Sequence, residues 1–287
     1  MNQTKILAFA LSAMLACVSF ASCGDDDKND DPKPVEQDNP NAPDIPAPSV
    51  AKRLVSISIS DNRRTSLSYD SEGRISEVVT RGGSYELERI RYTYSSSKIT
   101  AVTSTSGNYR TDTYLIANGL ITRRQCVSTY SENETSYTYN NGYISQWRDD
   151  YGSNDTFFWS AGDVSKTTTV MNGSGLDIFS RTYTYSSNYD YGGASCFVFD
   201  CSGIFDVDPY LAMQGFFGVR PMHMPKSAYE KEDDGDIYQY SWSYELDGDG
   251  YPISMTQTDD YDNISYSFIW AHSKKAVFTH RDCRVGR

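Results

Sequence analysis

Leucine is scarce in this chain, with eleven copies in 287 residues, three of them within the first fifteen. Leucine is the default filler of helices, so its scarcity argues against a helical protein. Histidine is scarcer still: His223, His272 and His280, none with a second histidine or a cysteine at metal-ligand spacing. The sequence therefore implies no metal centre and no cofactor. No serine stands in a G-x-S-x-G elbow, and no catalytic set emerges from the background of turns and core residues. Basic residues number 26 against 38 acidic, a formal net charge of −12, which argues against a nucleic-acid partner. What the chain has instead is tyrosine, at 23 copies, with 20 glycines and abundant serine and threonine. Tyrosine and β-branched residues suit a pleated, half-buried surface, and small polar residues suit tight turns. The composition is that of an all-β protein.

The first 22 residues stand apart. Lys5 precedes an apolar stretch, Ile6 to Phe20, too short to span a bilayer comfortably, and Phe20-Ala21-Ser22-Cys23-Gly24 places small residues before a cysteine. This resembles a lipobox, which implies cleavage before Cys23 and acylation of its thiol. Cys17 is the competing site, but cutting there leaves Val18 and Phe20 at the new terminus; an ordinary signal with an unmodified cysteine is the other alternative. The acidic residues Asp25, Asp26, Asp27, Asp30 and Asp31 resemble the export signal of Bacteroides-type lipoproteins. That implies an outer-membrane address facing the cell exterior, with the periplasmic face as the alternative. Residues 23–49 form an acidic, proline-rich tether: 24–49 hold six of ten prolines, eight acidic residues and no aromatic one. Such a segment buries too little apolar surface to order itself and reaches at most about 80 Å. Contact with the membrane is expected through the lipid alone.

Residues 50–287 read as one domain with an internal repeat. Ile or Val followed by Ser or Thr recurs at Ile75-Ser76, Ile99-Thr100, Ile121-Thr122, Ile144-Ser145 and Val164-Ser165, then at Ile253-Ser254. An aromatic residue stands five or six positions before most of them: Tyr69, Tyr94, Tyr139 and Trp159. Turn sequences such as Asn140-Asn141-Gly142 lie between, so each unit is a β-hairpin. Within strands the alternation has period two, as in Tyr238, Tyr240, Trp242 and Tyr244 against Gln239, Ser241 and Ser243. Aromatics face one side, hydroxyls and charges the other. The pattern predicts fifteen to seventeen strands in an antiparallel up-and-down meander, closed or nearly closed into a soluble barrel; an open rolled β-sheet is the alternative. A membrane-spanning barrel would need an apolar outer band, and the non-aromatic face is Ser, Thr, Arg and Asp.

The rhythm breaks over 187–225, an apolar insertion with Phe197, Val198, Phe199, Ile204 and Phe205. A short helix is expected there, capped by Asp208, started by Pro209, filled by Tyr210 to Phe217 and ended by Gly218. The insertion is expected to plug one end of the barrel. The segment Tyr69-Asp70-Ser71-Glu72-Gly73-Arg74-Ile75 resembles the YD repeat of rearrangement-hotspot and teneurin shells. The order of acidic start, hairpin repeats, Gly215-Phe216-Phe217-Gly218, Met224-Pro225-Lys226-Ser227 and Leu246 to Pro252 resembles a Bacteroides-type surface lipoprotein family of unknown function with a porin-like barrel. That resemblance implies a fold and carries no catalytic residue.

Glu245, Asp247, Asp249 and Gly250 imitate the start of a calcium loop, but Thr256 stands where the bidentate Glu belongs, so a hairpin turn is expected. Asp233, Asp234 and Asp236 beside Glu230 and Glu232 read as a solvated turn. Four cysteines remain beyond Cys23 (Cys126, Cys196, Cys201 and Cys283), with Cys196–Cys201 the most local disulfide and free thiols the alternative. Trp147, aligned with Val78 and Val102 three residues after the repeat's Ile, is expected in the core. Tyr151, Tyr189 and Tyr191 are the rim aromatics that could contact a carbohydrate or protein ligand. The functional expectation is a non-enzymatic surface lipoprotein that binds a partner or is structural. A glycan-binding or glycan-hydrolysing accessory protein is the alternative.

Overall fold

The computed structural model of the chain describes residues 48, 50–60, 62–171, 179–201, 207–233, 235–260 and 263–273, all within the unit Asp31–Arg287. The signal segment, Cys17, Cys23, nearly all of the tether, His280 and Cys283 lie outside them, as do Ile204 and Phe205. Sixteen strands follow in order: β1 Lys52–Ile59, β2 Arg63–Tyr69, β3 Ile75–Gly82, β4 Tyr85–Ser95, β5 Lys98–Thr105, β6 Asn108–Ala117, β7 Leu120–Ser128 and β8 Glu132–Asn140. Then come β9 Tyr143–Asp149, β10 Asn154–Ser160, β11 Asp163–Val170, β12 Phe179–Tyr189, β13 His223–Glu232, β14 Ile237–Leu246, β15 Pro252–Thr258 and β16 Asn263–His272. Each pairs antiparallel with its sequence neighbour, and β1 pairs with β16, so the sheet is a closed barrel. Closure leaves no unpaired edge. Two short helices, α1 Ser195–Cys201 and α2 Pro209–Met213, lie between β12 and β13.

Sidedness follows the period-two pattern. Ile90, Tyr92 and Tyr94 turn inward from β4, Tyr137 and Tyr139 from β8, and Tyr266, Phe268 and Trp270 from β16, all within one apolar cluster. Outward positions carry ion pairs and hydroxyl pairs: Arg89 to Glu77 at 2.6 Å, Arg123 to Glu134 at 2.9 Å, Thr138 to Ser145 at 3.1 Å. Such exposed pairs add little stability, but they mark a wall whose polar groups satisfy one another and water.

The repeated Ile-Ser signature has a structural meaning. Tyr69 pairs with Ile75 while Ser68 pairs with Glu77, leaving Ser76 as an extra residue: a β-bulge. Thr122, Ser145 and Ser165 occupy the same place in β7, β9 and β11. The bulge turns the residue three after the Ile inward, which is why Val78, Arg124, Trp147 and Thr167 are buried. β5 pairs without a bulge, so Ile99, Ala101 and Thr103 face in and Val102 faces out, 41% exposed. The expected equivalence of Val102 with Trp147 fails for that reason. Ile253-Ser254 also departs from the pattern, because Ile253 is itself the extra residue and is exposed.

These bulged hairpins all lie at one end of the barrel, together with the insertion; the turns after odd-numbered strands form the opposite end. At the insertion end the repeat's aromatics reach back one hairpin and donate to its first carbonyl. Tyr94 Oη reaches Ile75 O at 2.7 Å, Tyr139 Oη Ile121 O at 2.5 Å, Trp159 Nε1 Ile144 O at 2.7 Å and Tyr185 Oη Val164 O at 2.8 Å. Tyr69 to Leu54 and Trp270 to Pro252 repeat the clasp. Burial pushes the Tyr69, Tyr94, Tyr139 and Tyr185 phenols well above their usual range, so they remain donors.

The insertion runs from 190 to 222, three residues inside the expected limits at each side, because β12 extends to Tyr189 and β13 begins at His223. Asp208 caps α2, accepting from the Tyr210 and Leu211 amides at 2.9 and 3.1 Å, with Pro209 at the first helical position. The helix is shorter than expected. It stops at Met213, and Gly215 at φ +83° turns the chain, leaving Phe216 and Phe217 to point among the wall side chains. Phe216 packs on Tyr94 and Phe217 on Tyr137, with centroids 5.9 and 5.1 Å apart. The backbone completes the seal: Ile121 N donates to Phe216 O and Val219 N to Gly142 O, each at 2.9 Å. A Cβ on Gly218 would stand 2.2 Å from the Gly142 carbonyl oxygen, so only glycine fits there.

Candidate functional site

Three regions concentrate chemistry-bearing side chains. At the insertion end, β12 ends in Tyr189 and the chain turns through Tyr191 before α1. Tyr189 stacks on His223 with centroids 5.0 Å apart and lies 5.9 Å from Tyr191; Tyr191 in turn meets Tyr251, and Tyr251 meets Trp270. Gly192 allows this close approach, since a Cβ there would overlap the Trp270 ring. Tyr189 and Tyr191 are half-buried, forming a step of rings rather than free rim residues. His223 faces Asp163, Nδ1 to Oδ2 at 2.8 Å, and its amide donates to the other Asp163 oxygen.

Beside this step, Lys52 reaches both Asp247 and Asp249 at 2.6 Å. Asp247 also accepts from the Asp249 and Tyr251 amides. Desolvation alone would raise the Asp247 pKa, but Lys52 and those amides hold it below the ordinary carboxylate value. The segment that imitates a calcium loop is thus the β14–β15 turn, with its carboxylates engaged by an ammonium. Asp190 is engaged as well: it accepts from the Ala194 and Ser195 amides and the Ser195 hydroxyl at the start of α1. That helix was not foreseen in the sequence, where only the apolar character of Phe197 to Phe199 stood out.

Within the lumen, towards the opposite end, lies a belt of buried polar groups. Asp112 accepts from Arg124 at 2.8 Å and Arg110 at 2.7 Å. Asp155 accepts from Trp147 Nε1 at 2.9 Å and Thr169 at 2.5 Å, and Arg181 pairs with Glu230. Glu230 therefore leaves the acidic cluster to which the sequence assigned it and serves as a lumen counter-ion. Glycoside chemistry needs two carboxylates roughly 5–10 Å apart. Asp112 and Asp155 stand on β6 and β10, four strands or roughly 19 Å apart along the wall. Each is saturated by its own donors.

Tyr151 lies in the β9–β10 turn, at the end away from Tyr189 and Tyr191, so the three expected ligand contacts do not converge. It is exposed, and its hydroxyl reaches the Glu132 carbonyl at 3.3 Å. Trp147 is a core residue, as expected. Cys196 carries a free, buried thiol on α1, and the Cys201 side chain, the other half of the expected local pairing, lies outside the described residues. Burial pushes the Cys196 thiol up to about 12. Cys126 is also free and buried. An apolar pocket of about 50 Å³ lies between Cys196, Phe217, Pro221 and the wall residues Ile144, Trp159 and Val164. A cavity that takes benzene is about three times larger.

No protein-family model and no curated relative matches the chain. Solved structures do. A porin-like protein from Bacteroides uniformis ATCC 8492 is 14% identical, with a TM-score of 0.58 over 79% of this chain and 100% of that one. A porin-like protein from Bacteroides vulgatus ATCC 8482 is also 14% identical, with a TM-score of 0.53 over 76% of this chain and 98% of that one. The fold is porin-like. At this identity the likeness concerns architecture: an all-β, closed antiparallel barrel of sixteen strands. In this porin-like barrel the wall's large side chains and the insertion pack the interior, where Ile75, Ile99, Ile121, Leu211 and Phe216 are each fully buried.

Proposed function

We propose that this chain is an outer-membrane lipoprotein, anchored through acylated Cys23 and displayed on the cell exterior. Its barrel acts as a non-enzymatic binding or structural module and does not conduct. The observation that supports this reading is the direction of the wall. Its rings point into a packed lumen, and its outward positions pair Arg with Glu and Thr with Ser. Such a wall suits water and offers hydrocarbon no continuous apolar band. The acidic stretch after Cys23 supports outward display.

The test is metabolic labelling with palmitate, combined with protease treatment of intact cells. The native chain should take up label and be cut from outside, and Cys23→Ala should abolish the label. Label retained by Cys23→Ala and lost from Cys17→Ala would overturn the anchor assignment; protection of the native chain on intact cells would overturn outward display. A second reading, a glycan-binding accessory protein, is favoured by the stacked step of Tyr189, Tyr191 and Tyr251.

A further inference from the structure

The tyrosines divide sharply by position. At the insertion end and in the lumen they are buried or half-buried, clasped to carbonyls or packed on the plug. Among the described residues, the four most exposed are Tyr85 at 77%, Tyr109 at 69%, Tyr130 at 86% and Tyr151 at 61%. They sit on four successive hairpins of the opposite end: β3–β4, β5–β6, β7–β8 and β9–β10. Packing does not account for them, since their rings face solvent, and their alignment in one row sets them apart from singly scattered surface residues.

Three features of the row narrow the partner. Successive hairpins stand two strands apart, so the tyrosines recur at about 10 Å along a rim roughly 30 Å long. Each ring has two small polar neighbours, Gly83 and Ser84, Gly107 and Asn108, Thr129 and Ser131, Gly152 and Ser153, with Glu86, Arg110 and Asp150 on the other side of Tyr85, Tyr109 and Tyr151. Rigid tyrosines among Gly, Ser and Asn give contact area at low entropic cost together with adaptable hydrogen bonding. Some neighbouring charges are matched within the protein, Glu86 to Arg89, Arg110 to Asp112 and Glu134 to Arg123, while Glu132 meets the neutral Gln125 amide and Asp149 and Asp150 stand beside Tyr151, so the rim presents no basic excess.

Three of the four loops, those of Tyr109, Tyr130 and Tyr151, are also tied to one another. Thr129 Oγ1 reaches the Tyr109 carbonyl at 3.5 Å, the Asp150 amide reaches Glu134 O at 3.0 Å, and Tyr151 Oη reaches Glu132 O. A row fixed in advance loses less on binding.

We propose that this tyrosine row binds a linear, uncharged, β-linked glycan laid along the rim. Equatorially substituted sugar rings present flat C–H faces that stack on aromatic rings, while their hydroxyls meet the flanking Ser, Asn and backbone groups. In an extended β-linked chain alternate sugars present the same face, and the length of two sugars is close to the spacing of the hairpins. A rim without a basic excess favours a neutral polymer over a polyanion. This inference rests on the chain being a displayed binding module, and it names the ligand class and the face used.

The experiment is affinity electrophoresis and calorimetry of the mature chain against soluble β-glucan, xylan and galactomannan, with polygalacturonate and a proline-rich peptide as the other arms. At least one neutral glycan should retard the protein. Tyr109→Ala and Tyr130→Ala should each weaken its binding about tenfold, with the melting temperature unchanged, as expected for central contact residues. Ile253→Ala, an exposed wall position at the other end, should leave binding intact, and Tyr191→Ala separates this row from the stacked step. The proposal is overturned if no neutral glycan binds, if binding survives both row substitutions, if it depends on Tyr191, or if polygalacturonate or the peptide is preferred. Protease accessibility on intact cells reads surface display independently, so failure of the glycan assay and failure of the displayed-module reading are separable.

Discussion

Phe217→Ala probes whether the insertion holds the barrel together from inside. Phe217 is 5% exposed and meets Tyr137 and Tyr114 edge-on, with centroids 5.1 and 6.3 Å apart. Its neighbours are locked: Tyr137 belongs to a hydrogen-bonded wall strand, and Val219 is fastened to Gly142 by a backbone hydrogen bond. The site therefore has little freedom to collapse, and the full cost of a buried Phe→Ala change applies, about 3–5 kcal/mol. For a domain of this size each kcal/mol shifts Tm by roughly 2–4 °C, so a fall of roughly 6–20 °C is expected. Thermal unfolding followed by circular dichroism measures it. Val127→Ala, on the outer wall at 46% exposure, is the control and should stay within about 0.5 kcal/mol of the native protein. If Phe217→Ala melts within roughly 2 °C of the native chain, the insertion is not a plug and the reasoning fails.

Three interior residues, Asp208, Tyr139 and Cys196, carry further predictions. Asp208 caps α2 and accepts from Tyr92 Oη at 2.8 Å, so Asp208→Ala should cost about 2–4 kcal/mol by urea unfolding. Desolvation raises the Asp208 pKa above 3.8, so the folded state holds that proton more tightly than the unfolded state; this contribution to stability falls as pH rises from 3.8 through the folded value. Asp208→Asn should remove that slope, and an unchanged pH dependence in the variant would contradict it. Tyr139→Phe removes the clasp to Ile121 and should cost about 0.5–1.5 kcal/mol in the same assay, whereas a variant as stable as the native chain would show the clasp to be idle. Cys196 should resist alkylation in the folded protein and react once urea unfolds it, because burial keeps its thiol protonated; rapid native alkylation would place it at the surface.

The fold was legible because alternation is a local property. Residues such as Tyr92 and Tyr94 declare their side of the sheet within a few positions, and hairpin turns such as Asn141-Gly142 declare their neighbours. The strand total of sixteen falls inside the expected fifteen to seventeen. The insertion was legible because its apolar content had to be buried somewhere. Less legible were features that depend on pairing register. The bulge at Ser76 and its absence at Thr100 look alike in sequence yet send Val78 in and Val102 out. Glu230 read as one more acid in a turn, since only the β12–β13 pairing brings it opposite Arg181. The exposed row of Tyr85, Tyr109, Tyr130 and Tyr151 was hidden among 23 tyrosines, because nothing local separates a clasping phenol from a solvent-facing one. Its only trace is the interval between them, close to that of the hairpins themselves.

Sedimentation velocity of residues 24–287, in buffer without detergent, tests most directly whether this wall faces water. A single monodisperse monomer is predicted, because apolar rings fill the lumen and the outward Val102, Leu115, Val127, Phe158 and Ile269 are scattered among polar pairs. Precipitation or aggregation relieved only by a bound belt of detergent would mean that the outer wall belongs in lipid, and would contradict the account.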